Sequence, residues 1–450
     1  MKIKLIFLLF LIFNDCDTRN ITLTKVQNSL EKGIEFYRSL AVNGGYAHYY
    51  SKDLQFIIGE EPMQDSSVEV QFPGTPAIGN TYLYAYHVTG NKKYLGYAVD
   101  AAYCLIDGMN KYNGWDHVIN FKDINENAVI SLDDDHTQGC IRFLIEVDKY
   151  YDSEKLTDAV ERSLNVLLNI QQYEGGWPHF YPHQGNFHDY ATFNDGGINN
   201  CIRTLTKAYR YYKDPVYLQC IIKAGDYILK IKGKSPNDGW GMQYDKNNNP
   251  AWARTFEPPS LTPVVSLRNL NTLMNIYKLT GDKKYLEPIE AVLAWVKNSR
   301  LPNGSYPRFI DLHTGEPLYY DRGRKRVSSV EELSDERRYN YAYEQRLDAM
   351  IKQVEERYEN LENESGETSE LREYWEERFN IDDEDLKDEA ARIISYQDDQ
   401  GRWLLSGERL RRLSRYENWL GDNLNDEFIS GGVFIYNISL LCRFIEFYKN

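Results

Sequence analysis

Acidic residues recur at three places in the 450-residue chain where a loop leads into or away from a predicted helix. Leu132-Asp133-Asp134-Asp135-His136 and Asn194-Asp195 each open a helix, and Asp245 ends a third loop. A single acid there would serve as a helix cap, worth about 1 kcal/mol. Three successive aspartates exceed what a cap needs, and clusters from neighbouring hairpins could converge on an oxygen-only site of the kind that calcium takes. Helix caps and a calcium site are therefore the two hypotheses for these acids.

The segment Gly175–Pro182 (GGWPHFYP) combines turn glycines with aromatic side chains, and Thr192–Asp195 follows it closely. Loops so rich in special residues typically line a site. Trp177 and Tyr181 present flat faces with polar tips, which suits contact with a sugar ring. The alternative is a packed interhelical loop in which the Trp fills the core.

Loops of this kind recur along the chain, with successive aromatics 69, 62, 63, 66 and 97 residues apart. Paired runs with apolar residues at i, i+3 and i+4 lie between them and predict antiparallel helical hairpins. The pattern predicts an all-α fold, an α/α toroid of repeated helical hairpins with the aromatic-rich loops at one end; an open solenoid is the alternative. The loops are Gly44-Gly45-Tyr46, Asn113-Gly114-Trp115, Gly175-Gly176-Trp177, Asp238-Gly239-Trp240, Asn303-Gly304-Ser305-Tyr306 and Gln400-Gly401-Arg402-Trp403.

The domain organisation follows from composition. Met1–Phe13 is Lys-flanked and apolar but too short for a stable membrane anchor, so residues 1–19 are predicted to be a signal peptide of an exported protein, with Cys16 placed where a lipoprotein anchor would be. No other stretch is long and apolar enough to cross a membrane. No Pro/Gly/Ser linker divides residues 20–450, which predicts a single catalytic domain. The strongly charged stretch at about 345–389 is predicted to be a solvent-facing helical insertion.

Cysteine spacing gives no disulfide framework or metal knuckle. The five cysteines after Cys16 all fall in apolar helical runs, and we expect them to be buried core residues: Cys104, Cys140, Cys201, Cys220 and Cys442. HExxH, CxxC, P-loop and GxSxG stretches are absent, so zinc, nucleotide and serine-hydrolase chemistry have no support.

The formal net charge of −15 argues against nucleic acid and anionic membrane surfaces as partners. The charge is uneven, however. One section of about forty residues is basic and could receive carboxylates; it contains Arg300, Arg308, Arg322, Arg324, Lys325, Arg326, Arg337 and Arg338.

Several long motifs resemble those of the family 10 polysaccharide lyases, the all-helical pectate lyases. The similarity runs from about residue 25 over most of the chain, except the charged stretch. The motifs are Gly175–Pro182, Thr192–Asp195, Trp240–Asp245, Pro250–Ser260 (PAWARTFEPPS), Arg337–Ala342 and Phe428–Phe434.

This resemblance implies an α/α toroid and calcium-assisted β-elimination of polygalacturonate, an acidic plant polysaccharide, by a protein expected to be monomeric. Arg254 is similar to the family's Brønsted base, and Asp133 and Asp195 match the aspartates of the catalytic calcium and the +1 subsite. The residues that we assign to the substrate are Asp134, Trp177, Tyr181, Arg322, Arg337 and Arg338.

The chain departs from the family at a few positions. Asp134 replaces an asparagine, Asp135 and His136 replace small residues, His179 replaces a glutamine and Tyr244 a histidine. These changes bear on substrate and metal affinity more than on the type of reaction.

Two other functions compete with the lyase. An α/α-toroid glycoside hydrolase would use Asp133 and Asp195 as acid and base, with no calcium and no unsaturated product. A cell-surface glycan-binding protein would keep the groove without catalysis. Arg254 has its own alternative, a structural ion pair with Glu257, because a guanidinium is normally protonated throughout the accessible pH range.

Overall fold

The computed structural model describes residues 21–60, 63–362, 385–407 and 427–449. The predicted signal peptide, Cys16 and much of the charged stretch at 345–389 lie outside the described residues. The helices are α1 (Leu23–Arg38), α2 (Thr75–Thr89), α3 (Lys92–Asp107), α4 (His136–Asp148), α5 (Glu154–Ile170), α6 (Gly197–Tyr212), α7 (Pro215–Lys230), α8 (Pro263–Thr280), α9 (Ile289–Asn298), α10 (Asp335–Asn340), α11 (Asp348–Asn360), α12 (Leu386–Ser395) and α13 (Gly431–Lys449).

The strands are short and join the helices near the loops. They are β1 (Tyr49–Ser51), β2 (Ile57–Ile58), β3 (Ser67–Glu69), β4 (Val118–Asn120), β5 (Ile130–Ser131), β6 (Phe180–Tyr181), β7 (Ala191–Thr192), β8 (Gln243–Tyr244), β9 (Tyr306–Pro307), β10 (Tyr319–Asp321), β11 (Lys325–Val327), β12 (Glu344–Gln345), β13 (Leu404–Ser406) and β14 (Glu427–Ser430).

Contacts divide the chain into two compact units. The first comprises Met1–Ala128, Gly139–Arg162 and Gly366–Asn450, and the second Val129–Gln138 and Ser163–Ser365. A single catalytic domain over residues 20–450 stays a prediction.

An aromatic cluster forms the centre of the first unit. Tyr37 of α1 stacks on Phe434 of α13 with ring centroids 4.0 Å apart, and the hydroxyl of Tyr82 donates to that of Tyr46 over 2.9 Å. All four rings are nearly inaccessible to water, so each contributes a large apolar area to the core. The antiparallel sheet of this unit has the strand order β13-β14-β1-β2.

Helical hairpins form where the sequence predicts them. In the second unit α6 ends at Lys213, with φ 60°, and α7 begins after the cap Asp214. In the same way α8 ends at Gly281, with φ 70°, and Asp282 caps the next turn. A left-handed residue stops the first helix and satisfies its last carbonyls, and the following acid opens the next one. The hairpin prediction is confirmed for these segments.

The aromatic loops are a true structural repeat. In four of them the indole N–H donates to a carbonyl 10 or 12 residues earlier, at the end of the preceding helix, and so closes the loop onto that helix. The pairs are Trp115 with Leu105 (2.8 Å), Trp177 with Leu167 (2.8 Å), Trp240 with Ile228 (2.7 Å) and Trp403 with Ile393 (2.8 Å).

The prediction that the cysteines are core residues is confirmed. All five cysteines after Cys16 are buried, and none of them forms a disulfide within the described residues. Among the described helices, none has the length and apolar character that a membrane crossing needs.

Candidate active site

Two equivalent turns in the second unit carry the acidic residues. Asp133–Asp135 and Asn194–Gly196 are single 3-10 turns that follow β5 and β7. Ser131 Oγ accepts from the backbone N–H of Asp133 over 3.3 Å, and Thr192 Oγ1 accepts from that of Asn194 over 3.0 Å. Each turn then contains two successive left-handed residues, Asp134 and Asp135 in the first and Asp195 and Gly196 in the second.

The left-handed residues show which aspartates correspond. Asp134 has φ 41° and Asp195 has φ 44°. Aspartate tolerates this conformation better than most residues because its short side chain can bond locally. The structural counterpart of Asp195 is therefore Asp134, with Asp133 one position before it.

The two turns bring three carboxylates together. One oxygen from each of Asp133, Asp134 and Asp195 lies within 4.8 Å of the other two. Asp133 is partly buried, and its Oδ1 has no hydrogen-bond partner among the described residues. Burial and then the charge of Asp195 raise the pKa of Asp133 to about 7, and desolvation also raises the pKa of Asp195. Carboxylate oxygens crowded in this way repel one another and suit a hard divalent cation. The residues present thus fit calcium.

Arg254 lies on the loop between β8 and α8 and is paired with Glu257. Its Nη2 is 2.6 Å from Glu257 Oε1, and its backbone N–H donates to Oε2 over 3.0 Å. Tyr341 Oη also donates to Oε1, over 2.6 Å. Glu257 is buried, whereas the Arg254 side chain is 47% exposed. The predicted Arg254–Glu257 pair is therefore present.

This pairing has a clear electrostatic consequence. Burial alone would lower the pKa of Arg254, but the hydrogen bond and charge of Glu257 outweigh it and raise that pKa above its ordinary value. Burial would likewise raise the pKa of Glu257, yet Arg254 holds it below its usual range. In this arrangement the Arg254 guanidinium is protonated, and about half of its side chain is exposed to solvent.

Two of the predicted carboxylate-binding arginines lie on an aromatic platform. The Arg337 guanidinium sits 4.0 Å from the Phe256 ring centroid and 5.2 Å from that of Tyr341, and it is almost fully buried. Arg322 lies 5.2 Å above Phe256 and is exposed. Stacking of this kind holds a guanidinium in one orientation.

Arg322 and Arg337 already hold a carboxylate of the chain itself. Arg322 forks onto Glu336, with Nε to Oε2 at 3.0 Å and Nη2 to Oε1 at 2.8 Å, and Arg337 bonds the same carboxylate. The hydrogen bond from Arg322 lowers the pKa of Glu336 to about 2. Arg338 is separate, since it lies over exposed Tyr339 at 5.4 Å. The structure thus joins the first two arginines and leaves the third outside the pair.

Arg308 is a site residue that the sequence analysis did not assign. Its guanidinium lies 4.2 Å from the Tyr341 ring centroid, and its Nε is buried without a hydrogen-bond partner among the described residues. Its charge opposes the rise in the pKa of Asp195. A signal was available in the repeat: Arg308 stands two residues after the loop aromatic Tyr306, the position that His179 holds after Trp177.

His179, which holds the equivalent position two residues after Trp177, is buried. Its Nε2 has no hydrogen-bond partner among the described residues. Burial, and then the charge of His188, lower the pKa of His179 to about 3. The ring is therefore neutral where the similar family usually has a glutamine.

The predicted contact between Trp177 and substrate is wrong. Its side chain has 0% exposed surface, and its N–H is bonded to the Leu167 carbonyl. The core role, the alternative in the sequence analysis, is what the structure shows. Tyr181 is half-buried and pairs with Ile130, so its contact with substrate stays a prediction.

Comparison with known proteins finds similarity to one family of enzymes. Residues 106–307 match the family model described as Pectic acid lyase. Two structures from Cellvibrio cellulosa are similar to the chain. One is a mutant family 10 polysaccharide lyase in complex with trigalacturonic acid, with 22% identity, a TM-score of 0.50 and coverage of 63% of this chain and 98% of that one. The other is a family 10 polysaccharide lyase with 23% identity, a TM-score of 0.50 and coverage of 62% and 96%. No curated protein matches the sequence.

These findings confirm two predictions. The fold class is all-α, of the α/α toroid type, since 53% of the structure is helical and the similar structures share that class. The resemblance to family 10 polysaccharide lyases is also confirmed, and it supports an enzyme of the polysaccharide lyase class.

Proposed function

We propose that this polysaccharide lyase, whose residues 106–307 match the pectic acid lyases, cleaves polygalacturonate by calcium-assisted β-elimination. The observation that carries the proposal is the convergence, within one compact unit, of a three-carboxylate cluster with Arg254 and arginines on an aromatic platform. The similar structure in complex with trigalacturonic acid supports a substrate of this kind.

Substrate binding falls to the basic residues. Arg322 offers an exposed two-nitrogen fork that now holds Glu336, and a uronate carboxylate has the same shape and charge. Arg337 and Arg308 are fixed by their aromatic neighbours and supply positive charge without having to reorganise. These side chains would orient the polymer and compensate its negative charge.

Asp133 and Asp195, the residues predicted for the metal, would hold calcium together with Asp134, which was predicted to contact substrate and whose carboxylate lies in the same cluster. Bound calcium would offset the uronate carboxylate charge and acidify the C5 proton beside it. Asp195 also acts on Arg254, because its charge contributes to raising the pKa of the guanidinium. Neutralising Asp195 would remove that contribution.

Elimination requires one proton and one bond to move. Arg254, in its deprotonated form, would take the C5 proton; the C5–H electron pair becomes the C4–C5 double bond, and the C4–O bond breaks. The leaving oxygen takes a proton from water. Because Glu257 favours the protonated guanidinium, turnover should rise into the alkaline range.

The test follows near-ultraviolet absorbance of the new double bond, with polygalacturonate and calcium, for the wild type and for Arg254→Ala and Arg254→Lys. Arg254→Ala should lower turnover at least about 100-fold, the scale of a lost acid–base group, and Arg254→Lys should not restore it because lysine lacks the planar fork. Arg346→Ala, an exposed arginine of the same unit bonded to the Asn303 carbonyl, is the control and should keep full activity.

Melting temperature is measured on the same samples. A folded Arg254→Ala protein with near wild-type turnover would remove Arg254 as the base. The product separates the other functions: a saturated reducing end without absorbance would identify a hydrolase, for which the raised pKa of Asp133 would supply the acid. Binding without any product would identify a glycan-binding protein.

A further inference from the structure

The β10–β11 hairpin is fixed onto the loop that carries Arg254. Its strands pair from Tyr319 with Val327 to Asp321 with Lys325. At its tip, the N–H of Gly323 donates to Thr255 Oγ1 over 3.0 Å, and the N–H of Arg324 donates to the Thr255 carbonyl over 2.9 Å. The hairpin is thus held next to the Arg254 loop by two bonds from its backbone.

One face of this hairpin combines aromatic rings with cations. Tyr320 pairs directly with Arg326, so their side chains project to the same side. The Tyr320 ring meets Trp252 edge to face at 5.2 Å, and the Arg324 guanidinium lies 4.7 Å from the Trp252 ring centroid. We call Trp252, Tyr320, Arg324 and Arg326 the hairpin face.

The two arginines of the hairpin face have no acidic partner within the part of the chain that the structure describes. Both are exposed, and the two aromatic rings are half-buried. This differs from Arg254 and Arg322, which hold Glu257 and Glu336. In a chain of net charge −15, two guanidinium groups without acidic partners form a local site for an anion.

The backbone at Arg324 adds a second observation. Its φ is 60°, in the left-handed region, where glycine or asparagine would fit at lower cost than arginine. An arginine in this unfavourable backbone conformation, with its guanidinium against an aromatic ring, indicates that the Arg324 side chain has a functional role.

We propose that the hairpin face is a further subsite for uronate units of the substrate, beyond the units held by Arg322 and Arg337. Trp252 and Tyr320 would cover the apolar side of a sugar ring, and Arg324 and Arg326 would bind its carboxylate. Arg322 belongs to the tip of the same hairpin, so a polymer bound there continues onto this face. The proposal rests on the proposed function and adds a consequence: affinity rises with chain length.

The experiment measures calorimetric affinity of the full chain for a trimer and a long oligomer of galacturonic acid. The variants are Arg324→Gln with Arg326→Gln together, and Lys325→Gln as the control. Lys325 carries the same charge on the same hairpin but pairs with Asp321, on the opposite side. The double variant should lose about fivefold to tenfold in affinity for the long oligomer and less than about twofold for the trimer, as expected for two partly exposed charge contacts. Lys325→Gln should change both by less than about twofold.

Each other outcome overturns the subsite. Unchanged long-oligomer affinity in the double variant would mean that the face does not contact substrate, and equal losses in the double and control variants would reduce it to long-range charge. A larger loss for a sulfated glycan of similar length than for the uronate oligomer would assign the face to another anion class.

Binding does not depend on turnover, so the two proposals fail separately. If no unsaturated product ever forms but the double variant still loses long-oligomer binding, the lyase proposal fails and the subsite stands. If product forms and the length preference is unchanged in the double variant, only the subsite fails.

Discussion

At the scale of single residues, the position two after the loop aromatic carries a polar side chain of the candidate site in two of the loops. In the second unit His179 holds it after Trp177, and Arg308 holds it after Tyr306. One position thus carries a neutral ring in one repeat and a cation in another.

His179 should make the stability of the protein depend on pH. Its folded pKa, about 3, lies below the unfolded value near 6.5, so the unfolded state binds more protons between those values. The contribution of His179 to stability is therefore complete well above pH 6.5 and falls as pH drops, by about 2 kcal/mol between pH 8 and pH 5. Asp133, with a pKa of about 7, titrates in the same range with the opposite sign. Urea unfolding of wild type and His179→Gln at both pH values therefore measures the His179 contribution as the difference between their stability changes.

His179→Gln should remove most of that pH dependence while the amide keeps a polar group in place. His313→Gln, an exposed histidine of the same unit, is the control and should leave the dependence intact. An identical loss of stability at pH 5 in wild type and His179→Gln would contradict the burial argument.

At the scale of elements, α10 and the β10–β11 hairpin supply the two halves of the arginine site. The hairpin carries Arg322, and α10 carries Arg337 and Glu336. Both arginines form ion pairs with Glu336. Asp321 joins the two elements, accepting from the N–H and the hydroxyl of Ser334 over 2.7 and 2.9 Å. Glu336 therefore occupies the fork that a uronate carboxylate would need.

Removing the charge of Glu336 should strengthen substrate binding. Glu336→Gln leaves Arg322 without its internal carboxylate, and we expect affinity for polygalacturonate to rise about twofold to fivefold, since an exposed ion pair of this kind is worth roughly 1 kcal/mol or less. Asp335→Asn removes one charge from the same helix without touching either arginine and is the matched control. Weaker binding by Glu336→Gln, but not by Asp335→Asn, would show that Glu336 positions the arginines instead of competing with substrate.

At the scale of the whole molecule, repulsion among the carboxylates of Asp133, Asp134 and Asp195 lowers the stability of the folded protein, and a bound cation would offset it. Asp133 has a folded pKa of about 7, well above that of an unfolded aspartate, so its ionisation costs stability as pH rises from about 4 to 7. Calcium bound to the folded state would reverse this cost and add stability by mass action, about 2.7 kcal/mol at 100 times the dissociation constant.

Calcium should raise the melting temperature of the wild type by a few degrees, and chelation should remove the rise. Asp195→Asn should abolish the shift. Asp133→Asn should also abolish it, yet without calcium it should melt no lower than the wild type, because it removes the carboxylate with the raised pKa. Asp152→Asn, in the exposed loop before α5, should keep the full shift. Retention of the shift in both cluster variants would place any calcium elsewhere.

The sequence by itself determined the helical hairpins, the repeat of aromatic loops and the buried cysteines. These follow from local rules: apolar spacing along a helix, turn residues and acidic caps at helix ends, and a glycine one or two positions before each loop aromatic. The sequence also identified candidate site residues, because the motifs that contain them are specific: Asp133, Asp134, Asp195 and Arg254.

Only the tertiary structure decided what those candidates meet. The sequence around Trp177 is compatible with a side chain that lines a groove or one that fills the core. The structure places it in the core, where its indole N–H donates to the Leu167 carbonyl. Arg308 had no motif of its own and joins the site through the Tyr341 ring. The pair of Arg254 with Glu257, three residues away, is local and was already an alternative from sequence. The binding of Glu336 by Arg322 and the matching of Asp134 with Asp195 depend instead on distances between segments that are separated in the chain. Sequence spacing does not encode these distances, because burial and charge act through space and set the pKa of a group only after the loops have met.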